Sequence, residues 1–305
     1  MKTHLIFLLL AGLTLMTSCE KDDEASPASK TIVDIAIADP QFSTLVSALE
    51  RTNLVSTLQG PGPFTVFAPT NTAFSQLGVD LAALTDAELT DILLYHVIPG
   101  KVASNDLIEG QTYATTASTN APGGNQLSVL IEKSTSGVQL NGASSLTTAD
   151  VSADNGIVHI IDAVILPLDI VGHASANSNF TTLVNALATA PGDLVNVLSS
   201  DGPLSVFAPL NSGFAAIEST VAALTPDQLA TVLTYHVVGN ANVRAADLTE
   251  GMQVETVSGQ TFVVGLENGP MLTDQTGQIS NILLTDVQTT NGVIHVLESV
   301  IIPNL

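Results

Sequence analysis

The sequence predicts an α+β protein built from two tandem domains, on three observations. Four segments recur in the same order at a nearly constant displacement. Each copy carries a helix-opening signature followed by an amphipathic stripe. Each copy closes with a β-branched run behind an Asn-Gly turn. The length of 305 residues suits two domains of about 150 residues each.

The duplication is direct. Phe64–Phe74 (FTVFAPTNTAF) returns as Leu204–Phe214 (LSVFAPLNSGF), displaced by 140, and Leu93–Ile98 (LLYHVI) returns as Leu233–Val238 (LTYHVV), also by 140. Phe42–Leu49 (FSTLVSAL) returns as Phe180–Leu187 (FTTLVNAL), displaced by 138. Asn155–Pro167 (NGIVHIIDAVILP) returns as Asn291–Pro303 (NGVIHVLESVIIP), displaced by 136. The domains therefore run over residues 31–167 and 168–305. Few residues separate Pro167 from the next helical pattern, so a short connection and a semi-rigid pair are expected.

Within each copy the elements follow from local chemistry. Gly60–Pro63 and Asp201–Pro203 are turns leading into a strand, with neither the lysine nor the helix start that a phosphate cradle needs. Thr85 with Glu88, and Thr225 with Gln228, form capping boxes, the second with Pro226 at the first helical position. Each opens a helix of about three turns. Its apolar stripe is Leu89, Ile92, Leu93, His96 and Val97 in the first copy, and Leu229, Val232, Leu233, His236 and Val237 in the second. Ile157, His159 and Ile161, like Val293, His295 and Leu297, alternate within apolar runs typical of a strand covered on both faces.

The N-terminus reads as an address. Lys2 and an eleven-residue apolar run from Leu5 to Leu15 make a helix of only roughly 16 Å, short of a bilayer span. Residues 1–18 are thus a signal peptide. Met16-Thr17-Ser18-Cys19 resembles the lipobox of bacterial lipoproteins, with Met16 where Leu is usual, and implies lipidation of Cys19. Residues 19–30 then form a solvated tether, and its acidic run Glu20–Glu24 resembles the surface-export signal of bacteroidete lipoproteins. The expected location is the cell envelope, on an outer membrane and facing the exterior, with the lipid anchor as the sole membrane contact.

Composition narrows the function. Seven basic against 29 acidic residues leave a net charge of −22, which a phosphate backbone repels, so nucleic acid is excluded as a partner. One cysteine forbids an intrachain disulfide and any multi-cysteine metal site. Hydrophobic residues make up 45% of the chain, enough for ordinary cores.

The Val-Phe-Ala-Pro-x-Asn-x-x-Phe block, the Tyr-His pair and the Asn-Gly-(Ile/Val)-(Val/Ile)-His block together resemble the fasciclin (FAS1) domain family. The resemblance spans nearly all of residues 31–305, in both copies. It implies, for each domain, a wedge-shaped β-sandwich of about seven strands with several helices. In animal fasciclin proteins adhesion is associated with an Asp and a branched apolar residue ahead of the Asn-Gly block, and with the Tyr-His region. The matching residues here are Asp150-Val151 and Asp286-Val287, with Tyr95 and Tyr235. An exposed Asp can pair with Arg or complete the coordination of a receptor-bound cation, while its apolar neighbour adds desolvated contact. For the two tyrosines, packing with a bonded hydroxyl competes with partner contact.

Four of the mature chain's histidines correspond between copies, His96 with His236 and His159 with His295. A metal or acid–base role is conceivable, but neither HExxH nor a spaced carboxylate accompanies them, so they are read as structural. His173 has no counterpart and is expected on a helix surface. Asp154-Asn155-Gly156 lacks the alternation of a calcium loop. No Gly-x-Ser-x-Gly elbow is present. The sequence thus points to a non-catalytic adhesion or matrix-interaction protein without cofactor or metal, binding a cell-surface or matrix protein or a glycan. The alternative is a surface glycan- or small-ligand-binding lipoprotein, which requires exposed aromatic platforms.

Overall fold

The computed structural model describes residues 30–305. The segments read as signal peptide and tether, with Cys19 and the acidic run Glu20–Glu24, lie outside the described residues. The first domain opens with helices α1 (Ile32–Ala38), α2 (Ser43–Arg51) and α3 (Val55–Leu58), then strand β1 (Phe64–Pro69). Next come α4 (Asn71–Gln76), α5 (Asp86–Tyr95), β2 (Val97–Pro99), β3 (Gly110–Thr115), β4 (Ser128–Ser134), β5 (Gly137–Leu140), β6 (Ser144–Ala153) and β7 (Gly156–Ile161). The second domain repeats this plan with α6 (Ile170–Ala176), α7 (Thr181–Thr189), α8 (Leu194–Ser199), β8 (Leu204–Pro209), α9 (Asn211–Ala216), α10 (Glu218–Ala223) and α11 (Pro226–Tyr235). Strands β9 (Val237–Val238), β10 (Gln253–Glu255), β11 (Thr261–Gly265), β12 (Met271–Thr273), β13 (Ile279–Thr289) and β14 (Gly292–Leu297) complete it.

Each domain holds one seven-stranded sheet, in the orders β2-β1-β7-β6-β5-β4-β3 and β10-β11-β12-β13-β14-β8-β9. All pairings are antiparallel except β1 with β7 and β8 with β14, which are parallel. The long strands β6 and β13 are bulged at two points each. Bulges sharpen bend and twist, so each sheet folds over into a sandwich whose two leaves share that strand. The fold closes almost to a barrel where Ala117 N–H reaches Val97 O at 2.7 Å and Val257 N–H reaches Val237 O at 2.8 Å.

Alternation along the central strands explains their unbroken apolar character. From β1, Val66 and Ala68 join the core between sheet and helices, while Phe67 joins the core inside the sheet. In β7, Val158 faces the helices and Ile161 the interior. The Asn-Gly turn before β7 is a hub. Buried Asn155 accepts from Ile32 N–H at 3.0 Å and donates to Leu58 O at 2.7 Å and Gly60 O at 2.9 Å. Asn291 repeats this with Ile170 N–H, Leu198 O and Ser200 O. A Cβ on Gly156 would lie 2.0 Å from Phe64 O, and one on Gly292 2.0 Å from Leu204 O, so only glycine lets these strands pair.

Both capping boxes form as predicted. The helices they open end earlier than the stripe implied. His96 and His236 are C-caps, and Val97 and Val237 already start β2 and β9.

The domains dock through named contacts. Gln288 N–H donates to Ser128 Oγ at 3.0 Å, Asn177 donates to the Tyr113 hydroxyl at 3.0 Å, and Asn242 donates to Pro122 O at 3.1 Å. Leu130 points away from the first domain's core, in register with Tyr113, and is fully buried.

Candidate functional site

The residues singled out in the sequence converge on one unit per domain, at the bulge of the shared strand. Asp150 and Asp286 adopt left-handed backbone conformations, with φ of 62° and 63°, in those bulges. An Asp tolerates this region better than most residues. Each carboxylate turns back onto the loop that follows β2 or β9. Asp150 Oδ1 accepts from Ser104 N–H at 2.9 Å, and its Oδ2 is bonded to the Ser104 hydroxyl. Asp286 Oδ1 accepts from Ala245 N–H at 2.8 Å. The Ser104 hydroxyl and N–H hold the Asp150 carboxyl below the usual carboxylate range.

The strand histidine completes the unit. His159 Nδ1 accepts from Asp150 N–H at 3.2 Å and its Nε2 donates to Val102 O at 2.9 Å, which fixes the Nε2–H tautomer. The ring stacks on Phe67 with centroids 5.6 Å apart. His295 donates likewise to Val243 O at 2.8 Å and stacks on Phe207 at 5.0 Å, but its Nδ1 is buried without a partner among the described residues. Burial lowers the His295 pKa.

His96 and His236 perform a second tie. The His96 Nδ1–H donates to Ile92 O at 2.7 Å, and Nε2 accepts from Ile165 N–H at 3.1 Å. His236 bridges Val232 O and Ile301 N–H in the same way. Each imidazole thus joins the capped helix to the segment leaving the last strand. Burial lowers both pKa values to about 4, so both rings are neutral at pH 7.

Three expectations need correction. Tyr95 and Tyr235 are completely buried, so neither touches a partner on the folded protein. As the last helical residues before the turn into β2 and β9, they enter the sheet interior rather than the helix flank. The Tyr95 hydroxyl donates to Ser128 O and the Tyr235 hydroxyl to Thr261 O, each at 2.8 Å. Val287 is buried in the helix-side core, and Val151 packs partly against its own. Asp150 and Asp286, which no observation tests as binding residues, are partly exposed; Asp150 directs both oxygens to Ser104, and Asp286 directs Oδ1 to Ala245 N–H. His173, expected on a surface, is fully buried under Tyr113 of the first domain, ring centroids 5.7 Å apart. The spacing of Ile170, His173 and Ala174, at i, i+3 and i+4, carried the signal that it lies on the apolar face.

Among the described residues no group of three or more His, Cys, Asp or Glu side chains is placed to hold a metal ion. The outer face of the second domain's sheet carries a feature that motif reading missed. Val263, Ile279 and Leu283 are 37%, 56% and 54% exposed, beside Leu284. By strand register the matching positions in the first domain are the covered Leu130, then Ala143 and Thr147.

These features define a class: a paired-domain scaffold in which a helical layer and a folded-over mixed sheet are locked by buried Asn, His and Tyr. Comparison with known proteins makes the assignment specific. The chain belongs to the fasciclin domain family, whose model matches residues 40–167 and 178–303. It is 41% identical over 138 residues to the uncharacterized protein sll1735 of Synechocystis, covering 44% of this chain and 96% of that one. It is 30% identical over 256 residues to transforming growth factor-beta-induced protein ig-h3 of Sus scrofa, covering 81% of this chain. The chain spans about a third of that relative's length, 36%. A FAS1 domain pair from the insect cell adhesion molecule fasciclin I superposes with a TM-score of 0.51 at 18% identity, over 87% of this chain and 97% of that one. The two-domain fold is shared with that pair.

Proposed function

We propose that the protein is a non-catalytic binding protein of the cell surface, tethered through a lipidated Cys19, that attaches to a cell-surface or matrix protein. The observation that carries this reading is the set of exposed apolar side chains Val263, Ile279, Leu283 and Leu284 on the second domain's sheet, with Asn281 and its bonded Glu298 beside them. Exposed apolar clusters of this kind mark contact surfaces. The tether enters the first domain, so this set lies on the domain farther along the chain from the anchor.

The insect pair belongs to a cell adhesion molecule, and this supports the same class of activity here. A protein partner is favoured over a glycan because the rings a sugar would stack on are committed elsewhere. Phe67, Phe207, Phe262, Tyr95 and Tyr235 are buried, and Tyr113 is engaged in the domain joint. Membrane attachment through acyl chains adds about 0.8 kcal/mol per buried CH₂.

Two experiments test the proposal. Cys19→Ala is expected to release the protein from the membrane fraction, and retention there contradicts the anchor. Immobilised full-length protein should retain a matrix or surface protein, with at least tenfold loss in Ile279→Asp/Leu283→Asp. Saturable binding to a polysaccharide array, unchanged by that pair of substitutions, would replace the protein partner with a glycan.

A further inference from the structure

The joint between the two domains holds an unusual concentration of unsatisfied polar groups. Six buried side-chain atoms have no hydrogen-bond partner among the described residues, and four belong to second-domain residues at this joint: both ring nitrogens of His173, Asn242 Oδ1 and Gln288 Nε2. Asn242 and Gln288 are joined to each other at 3.0 Å and reach across to Pro122 O and Ser128 Oγ. Buried polar groups normally find partners, and each one stranded costs free energy. Gln111 bonded to Ser178 and Asn179, and Arg244 bonded to Asn125, add hydrogen bonds across the joint, so the unpartnered atoms are a local cost within it that water can relieve when it opens.

His173 is the group among them that can change charge. The first domain has Ile35 at the matching helix position, so the imidazole is peculiar to the joint. It lies on α6 beneath the Tyr113 ring, and the Tyr113 hydroxyl accepts from Asn177 on the same side of the joint. Burial pushes the Tyr113 phenol up to about 12, so it stays neutral in acid. Asp169, the N-cap of α6, is the charged group of its own domain that bears on His173, and from the first domain Glu132 of β4 is bonded to Gln111, which itself bonds Ser178 across the joint. Its Oδ1 accepts from Gly172 N–H at 2.6 Å. Helices α7 and α8 contribute no titratable side chain, and His295 of β14 belongs to the opposite face of its sheet, against Phe207.

We infer that the domain joint is an acid-sensitive hinge, in which protonation of His173 parts the two domains while each remains folded. Neither His173 ring nitrogen has a partner in the closed joint among the described residues, so a cation there is left without a hydrogen bond, whereas an open joint lets water solvate it. Burial lowers the His173 pKa to about 4 when closed, from an ordinary 6.5. The open state thus takes up the proton first as the pH falls below 6.5, and the closed state is favoured above that value. The closed-to-open ratio falls about tenfold per pH unit between those limits, up to roughly 300-fold in all.

Small-angle scattering of the full chain, with far-UV circular dichroism on the same samples, reads the hinge from pH 7.5 to 4. The expected result is an increase in maximum dimension below pH 6.5 with unchanged secondary structure. His173→Ile, which installs the first domain's residue, should keep the closed dimension across that range. NMR titration of the His173 ring supplies a readout independent of that variant's packing: its apparent pKa should lie well below 6.5. Equal profiles for both proteins, expansion only together with loss of secondary structure, or a His173 ring titrating at 6.5 in the closed pair would each overturn the inference.

Discussion

The two domains share one plan, yet the first is the better-satisfied copy and the second the barer one. In the first, His159 uses both ring nitrogens and Asp150 binds Ser104 through both oxygens. In the second, His295 leaves Nδ1 unpartnered among the described residues, and alanine at position 245 has no hydroxyl for Asp286. The outer sheet face of the first domain is covered at Leu130, whereas the equivalent Val263 face of the second is open. The difference separates two sets of residues: the histidines, tyrosines and asparagines shared by both copies build the frame, and the outer sheet faces differ between copies, which is where the proposed contacts fall.

The largest effect should come where the copies agree. Asn155→Ala and Asn291→Ala each remove three hydrogen bonds to backbone and strand two buried groups at roughly 1–3 kcal/mol apiece. Denaturant unfolding followed by a probe in each domain should show a loss of several kcal/mol, local to the mutated domain. A loss below about 1 kcal/mol in either domain would break the equivalence of the two hubs.

Acid should separate the copies. His96 and His236 are neutral when native, with pKa values near 4 against an ordinary 6.5. The unfolded chain therefore binds protons first, and stability present above pH 6.5 is lost as the pH falls through 4. Each such histidine contributes a slope of about 1.4 kcal/mol per pH unit in that window. The second domain also buries His295, whose pKa burial lowers, whereas His173 is solvated once the joint opens. Its stability should fall more steeply than the first domain's as the pH falls below 6.5, measured by domain-resolved thermal unfolding. Parallel slopes would mean that the His295 ring is solvated before the domain unfolds.

The tyrosines refine the comparison. Tyr95 both donates to Ser128 O and accepts from Asn141 at 3.0 Å, while Tyr235 lacks an asparagine partner. Tyr95→Phe should cost ~1–3 kcal/mol and Tyr235→Phe ~0.5–1.5 kcal/mol. The reverse order in chemical denaturation would show that the Asn141 bond contributes little. The smallest effect is constructive: Ala245→Ser should give Asp286 the hydroxyl partner that Asp150 has, adding about 0.5–1 kcal/mol. No gain, or a loss, would mean that the second loop cannot adopt the first loop's geometry.

Much of this frame was legible in the chain. Duplication, capping boxes and β-branched runs are local signals, and they placed α5, α11, β7 and β14 correctly because tertiary packing agrees with them. What a linear reading could not supply was direction at element ends. Tyr95 and His96 are neighbours that point into two different cores because the helix stops between them. Asp150 reads as a free carboxylate until the bulge turns it onto Ser104, forty-six positions away in sequence. The spacing around His173 marks an apolar face, but that Tyr113 of the other domain lies against its ring is encoded in neither copy's own pattern.

Binding by two matched variants of the full chain tests the division between frame and contact face most directly. Ile279→Asp/Leu283→Asp and Asp150→Ala/Asp286→Ala are compared with the parent for retention of the same surface or matrix protein, each checked for native secondary structure. The account predicts at least tenfold weaker retention for the first pair, and for the second a loss of stability with retention within about twofold of the parent while folded. Retention abolished by the folded Asp variants but untouched in the sheet-face variants would contradict it and place recognition at the strand bulges.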